Sequence, residues 1–441
     1  MIGRIARPAS FLLVVLLLIA IGLFLYTRRE NAELPVAAVT GKQPQIRTAI
    51  ERIPTINIAE PTPWGDARPQ PAAGLKVGEF AGGLVHPRWM TLLPNGDVLV
   101  AETNSPPRPV DGLADRVMGW LMGRAGAGVP SPNRITLLRD ADGDGRAEQR
   151  ATLVDGLNSP FGMAYLDGRL YVGNTDALIA FPFQPGQTRI TAPAEKIIDL
   201  PGGYNHWTRN VIASPNGSRL YVAVGSASNI AERGLELENR RAVILEVDPA
   251  TKRSRIYAGG LRNPVGLAWE PTSGGLWATV NERDMAGGDG PPDYMTKVEF
   301  GGFYGWPWSY WGGFVDKRVQ PERPDLLEYT KRPDYALGPH TAPLGLAFAT
   351  AADLGAGFGN GAFVALHGSW NRKPAAGYKV VFVPFGERGF PVEGAKPVDV
   401  LTGFLDGDGR ARGRPAGLIV DRTGALLVAD DVGDRIWRVS R

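Results

Sequence analysis

The chain reads WMTLLPNGDVLVAE at residues 89–102. An apolar stretch enters a turn containing Asn, Gly and Asp, and a second apolar stretch leaves it. That pattern predicts a β-hairpin, because aliphatic runs flank a turn whose glycine tolerates left-handed backbone. Five further copies follow: FGMAYLDGRLYVGN (161–174), RNVIASPNGSRLYVAVG (209–225), PVGLAWEPTSGGLWATVNE (264–282), PLGLAFATAADLGAGFGNGAFVALHG (343–368) and PAGLIVDRTGALLVADD (415–431). Their starts lie 72, 48, 55, 79 and 72 residues apart, which leaves room for four strands per unit plus insertions. Six such units predict an all-β, six-bladed β-propeller, an arrangement that leaves only short strand edges exposed. A pair of β-sandwiches would not explain six copies of one hairpin.

The hairpin also defines one end of the barrel of blades. Residues before its first strand and after its second share that end, because the strands run antiparallel. If this hairpin is innermost in each blade, the residues before the first strands ring the mouth of a central channel. They are His86, Asn158, His206, Arg262 with Asn263, His340, and Arg412 with Arg414. Three of the four histidines share this phase. Glu102, Asn174, Glu282 to Asp284, His367 to Arg372 and Asp430 follow the second strands. Polar groups thus converge from all six blades, the pattern of a concave ligand site, although channel polar groups also serve to satisfy backbone and water.

Composition narrows the function. The 441 residues include 57 glycines and 37 prolines, suiting short strands joined by tight turns. Net charge is +3 with no dense basic stripe, which argues against nucleic acid. With no cysteine there is no disulfide, thiolate metal site, Cys nucleophile or acylated-Cys anchor. Phe11 to Tyr26 is an uncharged apolar run, preceded by Arg4 and Arg7 and followed by Arg28 and Arg29. Charged residues rather than small ones follow it, so residues 1–30 read as an uncleaved N-terminal transmembrane anchor rather than a cleaved signal. Residues 31–75 are Pro-rich and read as a tether. Residues 76–441 form the propeller domain.

Several stretches together, GGYNHWTRN (202–210), GGLRNPVGLAW (259–269), VNERD (280–284), GDGPPDY (288–294) and GGFYGWPWSYWGG (301–313), resemble the sorbosone dehydrogenase group of quinoproteins. That group is similar to the soluble quinoprotein glucose and aldose sugar dehydrogenases, and the resemblance spans roughly residues 76–440. It implies a six-bladed propeller binding pyrroloquinoline quinone and Ca²⁺ at the channel mouth and oxidising an aldose or sugar aldehyde. It also implies a periplasmic domain, held to the inner membrane by the N-terminal helix, that passes electrons to a quinone or cytochrome.

Residue by residue, His206 matches the family's catalytic histidine, and an imidazole suits removal of a hydroxyl proton as hydride leaves the same carbon. Asn205 stands where the glucose dehydrogenases have Asp, so the orientation of His206 must come from elsewhere. Arg262 and Asn263 match a pair that faces the quinone, where a fixed cation stabilises developing charge. Arg414 matches a cofactor-binding arginine, with Arg412 a second candidate; both are also readable as loop charges. Arg372 or Lys373 stands near the family's lysine. Trp370 either stacks on the quinone or packs. Asn158 lies beside Leu157, which occupies the place of a family glutamine. For calcium, a hard ion preferring oxygen, the matching positions are Asp284 and Met285, with Glu282 adding a carboxylate. Asp289 and Asp293 suggest a second, structural calcium or simply a rigid Pro-Gly loop. RDADGDGRAE (139–148) has D-x-D-x-D-G spacing without the twelfth-position Glu of an EF-hand, and reads as a polar hairpin turn. The aromatic stretch 301–313 reads as packing.

Two other functions fit the residues: a calcium-dependent, lactonase-like propeller hydrolase, and a non-catalytic binding propeller that has lost its cofactor. The boundaries themselves are testable. Deleting residues 1–30 is expected to leave a soluble, folded domain by gel filtration and circular dichroism, whereas aggregation of that truncated chain would contradict a separable anchor.

Overall fold

Glycine occupies the third position of three innermost strands and directly precedes a fourth, and the packing explains why. A Cβ added at Gly345 would stand 2.5 Å from the carbonyl oxygen of Ala416, and one at Gly417 would stand 2.9 Å from that of Arg88. Gly266 meets Leu344 and Gly162 meets Val211 in the same way. Each contact joins the first strand of one blade to the first strand of the next, so neighbouring backbones touch with no side chain between them. Gly162 N–H even donates across the boundary to Arg209 O at 3.0 Å.

The computed structural model of the chain describes residues 11–441 apart from 13, 19, 23–25, 27, 28, 49, 50 and 52–54. Six antiparallel sheets form the blades. Blade I pairs Pro87–Leu92, Val98–Glu102, Arg134–Arg139 and Gln149–Val154. Blade II pairs Met163–Leu166, Arg169–Gly173, Ala177–Pro182 and Glu195–Asp199; blade III pairs Val211–Ala213, Leu220–Val224, Val243–Asp248 and Arg253–Gly259. Blade IV holds Pro264–Trp269, Leu276–Val280, Pro292–Lys297 and Tyr335–Pro339, and blade V holds Pro343–Phe348, Gly361–Leu366, Lys379–Pro384 and Val398–Thr402. In blade VI the strands Pro415–Val420, Leu426–Asp430 and Arg435–Ser440 are completed by Lys76–Ala81 from the start of the domain. That last pairing closes the ring. Each repeated hairpin is the innermost pair of its blade, as its pattern requires.

Between blades the cores are apolar. Trp89, Phe161 and Trp207 stack in a row from blade I to the edge of blade III, with centroids 4.7 and 5.9 Å apart. The aromatic stretch 301–313 is packing, as read: Tyr304, Trp306, Tyr310 and Trp311 are buried. The loop 140–146 is the turn between the two outer strands of blade I. Its carboxylates cap the turn's own N–H groups, Asp140 accepting from Gly143 and Gly145.

The N-terminus differs from its reading in one respect. Residues 1–10 and several positions of the apolar run lie outside the described residues, and among those described no helix is long and apolar enough to cross a membrane. The Pro-rich stretch 31–75, however, does not hang free. Asn31, Val39, Thr40, Thr55, Ala59 and Trp64 are buried against the propeller. Its turns and prolines expose backbone groups that blades IV to VI satisfy, a contact that composition does not announce. Gln70–Pro71 even adds a fifth strand to blade V.

The glycine contacts make a direct prediction. Gly345→Ala should lose about 1–3 kcal/mol of stability by overpacking. Gly78→Ala, in an outer strand with no atom within 4 Å of the new Cβ, should change stability by under about 0.5 kcal/mol. Equal melting temperatures for the two variants would overturn this account of the ring.

Candidate active site at the channel mouth

At one end of the channel a polar cavity of about 180 Å³ is lined by His206, Arg262, Asn263, Glu282, Asp284, Asp293, His340, Trp370 and Asn371, among others. Its walls are the ends of innermost strands in blades III to V. The repeat phase is visible in the backbone: His86, His206 and His340 have φ of 51°, 51° and 59°, left-handed values that few residues other than glycine adopt.

The loop carrying His206 is held by two arginines. Buried Arg209 donates to the carbonyls of His206 at 2.7 Å, Thr208 at 2.8 Å and Pro201 at 2.5 Å. Arg241 donates to Gly202 and, at 2.9 Å, to Gly203. Arg209 in GGYNHWTRN is therefore a clamp on the loop, and Trp207 is core. The imidazole itself is oriented by Ser226, whose carbonyl oxygen lies 2.8 Å from Nδ1 and whose Oγ lies 3.0 Å from it. A carbonyl accepts only from a protonated nitrogen, so the neutral ring carries its proton on Nδ1 and presents Nε2 as an acceptor. Burial, reinforced by the Arg262 charge, holds the His206 pKa well below the ordinary imidazole value. Asn205 does not orient the ring; its Oδ1 accepts from Arg108, which reaches over from the insertion in blade I at 3.2 Å.

Arg262 is buried and every one of its five N–H groups is used. Nε donates to Asn229 O at 3.1 Å, Nη1 to the carbonyls of Asn281 at 3.2 Å and Glu282 at 2.5 Å, and Nη2 to Asn229 Oδ1 at 2.9 Å and Asp284 Oδ2 at 3.0 Å. It acts on the cavity as a fixed charge, not as a free donor. Asp284 would be raised by burial, but Arg262 and His340 hold it down at about 2. His340 Nε2 donates to Gly287 O at 2.7 Å, and its Nδ1 lies 3.8 Å from Asp284 Oδ1; burial opposes its charge, yet Asp284 raises its pKa overall. Asp293 is pushed by burial up to about 7, while its oxygens accept the N–H groups of Glu282 and Ala342.

Three buried oxygens on the cavity's lining residues have no hydrogen-bond donor: Asn263 Oδ1, Glu282 Oε1 and Asn371 Oδ1. Burial raises the Glu282 pKa despite Arg283 and Arg262 nearby. Orphaned buried acceptors are costly, and a set of them beside an ionised Asp284 fits a hard, oxygen-seeking divalent cation.

Other residues singled out in the sequence fall elsewhere. Asp289 is not available to a second calcium: its carboxylate accepts from Glu33 N–H at 2.6 Å, Leu34 N–H at 3.0 Å and Arg372 at 3.3 Å. Met285 lies next to the cavity with its carbonyl toward Arg318 at 3.4 Å. Arg372 points into the 288–289 loop, donating to Gly288 O at 2.8 Å. Arg414 stacks over Tyr378 at 4.9 Å and reaches Ala59 O at 3.3 Å, with Arg412 half-buried nearby in sequence. Asn158 is exposed, outside the cavity lining, and Leu157 packs on the core. His86 joins Arg88, His367 and Asp431 in a separate buried cluster. Glu102 and Asp430 are tied into strands and caps. Ser226 and Asn229 are residues that sequence reasoning missed, whereas Asn371 lies within the 367–372 stretch read as following a second strand. Ser226 follows the second innermost strand of blade III, the one blade for which that phase was not read.

Fold and cavity together define a propeller with a polar small-molecule site at the rim of its central channel. The chain belongs to the TrAA12-like family, which it matches over residues 131–292 and 326–441, more than half its length. A pyrroloquinoline quinone-dependent pyranose dehydrogenase of Coprinopsis cinerea is 26% identical over 360 residues, covering 71% of this chain and 44% of that protein. The chain thus spans less than half of that relative. A pyrroloquinoline quinone-dependent sugar dehydrogenase of Hypocrea jecorina is 23% identical, over 77% of this chain and 86% of that one. Among solved structures, the holo quinone domain of the C. cinerea enzyme superposes with a TM-score of 0.67 at 23% identity, covering 85% of this chain and 97% of that one. The calcium structure of the Trichoderma reesei family AA12 enzyme gives 0.69 at 20% identity, over 88% and 98%. The two relatives are named as pyrroloquinoline quinone-dependent pyranose and sugar dehydrogenases, within the wider quinoprotein sugar dehydrogenase group to which the motifs point.

The lowered His206 pKa has a definite sign. A depressed imidazole stays neutral as pH falls below 6.5, so nitrogen-detected NMR should show His206 as the Nδ1–H tautomer at pH 6. A charged ring at that pH would contradict the assigned environment.

Proposed function

We propose that this chain is a pyrroloquinoline quinone-dependent dehydrogenase acting on an aldose or sugar aldehyde of the sorbosone kind. The observation that carries the reading is the pairing, in one cavity, of a bare His206 Nε2 with orphaned oxygens of Asn263, Glu282 and Asn371. The oxygens, with Asp284, are the groups that would hold Ca²⁺. The fixed charge of Arg262 and the indole of Trp370 would face the cofactor. Bound quinone supplies a hydride acceptor at a carbon where the protein has only to remove a proton.

The chain's own contribution is then specific. Ser226 keeps the His206 proton on Nδ1, so Nε2 is free to take the hydroxyl proton of a hemiacetal or aldehyde hydrate. The low pKa keeps that nitrogen unprotonated through mildly acidic pH. The Arg262 charge, locked by five hydrogen bonds, stabilises negative charge developing beside it without reorganising. The periplasm, an N-terminal membrane anchor and a quinone or cytochrome as electron acceptor belong to the same reading, supported by the apolar run before residue 30.

The test is a reconstituted dye-reduction assay with the quinone, Ca²⁺ and a panel of aldoses and sugar aldehydes. His206→Ala should lower turnover by ~10²–10⁴ while leaving cofactor binding intact. Undiminished turnover in that variant would overturn the mechanism, and no turnover of any aldose or aldehyde by the parent chain would overturn the substrate class.

A further inference from the structure

The wall of the cavity that holds Trp370 and Asn371 is not built by the propeller alone. Asn31 and Asn57, from the stretch preceding the propeller domain, bind the backbone of Trp370–Lys373 residue by residue. Asn57 N–H donates to Trp370 O at 2.7 Å, and its side-chain Nδ2 donates to Arg372 O at 2.9 Å. Asn31 Nδ2 donates to Asn371 O at 3.2 Å, and Asn31 Oδ1 accepts from Lys373 N–H at 2.8 Å. The N–H groups of Asn31 and Ala32 both donate to Lys373 O at 3.1 Å. Four consecutive peptide groups of a cavity wall are thus satisfied by two asparagines some three hundred residues away in sequence.

The same stretch also fixes the 288–289 loop to which Arg372 is bonded. Glu33 and Leu34 N–H cap Asp289, and a Cβ at Gly288 would collide with Asn31 O. Asp289 in turn pairs with Arg372 at 3.3 Å. From the wall the connection runs directly into the site, because Asn371 Nδ2 donates to Asp284 Oδ1 at 3.2 Å and Asn371 Oδ1 is one of the orphaned oxygens.

We propose that Asn31 and Asn57 are positioning residues of the cavity, so that the stretch before the propeller sets how tightly the site holds its ligand. The inference rests on the quinone-site reading for the identity of that ligand, though not for the positioning itself. Loss of outer partners of this kind typically weakens a bound group roughly 10- to 100-fold.

The experiment uses the full chain with Asn31→Ala, Asn57→Ala and Asn31→Asp. In the ligand-free proteins, hydrogen exchange followed by mass spectrometry reads the amides of 369–373. Asn31→Ala should speed their exchange, while Asn31→Asp, which keeps the acceptor for Lys373 N–H, should restore protection. Spectral titration with pyrroloquinoline quinone and Ca²⁺ should then show affinity falling at least about tenfold for both alanine variants, with melting temperature little changed. Unchanged exchange at 369–373 in Asn31→Ala, or unchanged affinity in both alanine variants, overturns the proposal. If the parent chain binds no quinone while exchange responds as described, the quinone reading fails and the positioning stands.

Discussion

At four of the six blade boundaries neighbouring backbones touch with no side chain between them, and the narrow channel mouth rests on that contact. Glycine at 162, 266, 345 and 417 removes the side chain that would separate the blades. The strand ends are thereby drawn into one narrow ring. Groups remote in sequence, from residue 206 to residue 371, meet around a cavity of about 180 Å³. A propeller with bulkier residues at those positions would open its centre and disperse the same groups.

Within the ring, electrostatic roles are divided. Arg262 pairs with Asp284 at 3.0 Å, and all of the guanidinium donors are consumed by the protein, which fixes the cation in place. His340, beside Asp284, is biased toward its charged form, while His206 is biased toward its neutral one. Two buried imidazoles in the same phase of the repeat thus differ because their charged neighbours differ: for His340 the Asp284 carboxylate outweighs burial, while for His206 the Arg262 charge adds to it. The remaining strain is in oxygens lacking donors, which the ion expected there would relieve.

The fold was legible because its signal repeats; six copies of one hairpin, each pair of starts far enough apart for four strands, admit few architectures, and glycine and proline mark their turns. His206, Arg262, Asn263, Glu282, Asp284, His340 and Trp370 were legible as cavity residues from their place in the repeat or from the family motifs, whereas Asp293, read with Asp289 as a second calcium site, lines this cavity instead. Other contributions were hidden because they carry no pattern. Ser226 orients His206 largely through a backbone carbonyl, and no residue type signals that. Asp289 looked like a metal ligand, yet its partners are N–H groups of residues 33 and 34, a contact between distant parts of the chain. Arg372 was placed by motif, but the 288–289 loop takes donors of its guanidinium instead. The Pro-rich stretch read as a tether for a related reason: hydrogen bonding through main-chain groups leaves composition unchanged.

The central claim is that the cavity binds a quinone through a cation held by its orphaned oxygens. An equilibrium titration of the full chain with pyrroloquinoline quinone, followed by absorbance with Ca²⁺ in excess and again with chelator, tests it most directly. The account predicts a saturable spectral shift with calcium that is lost with chelator and weakened by Glu282→Gln. Equal quinone binding with and without calcium, or no binding in either, would contradict it.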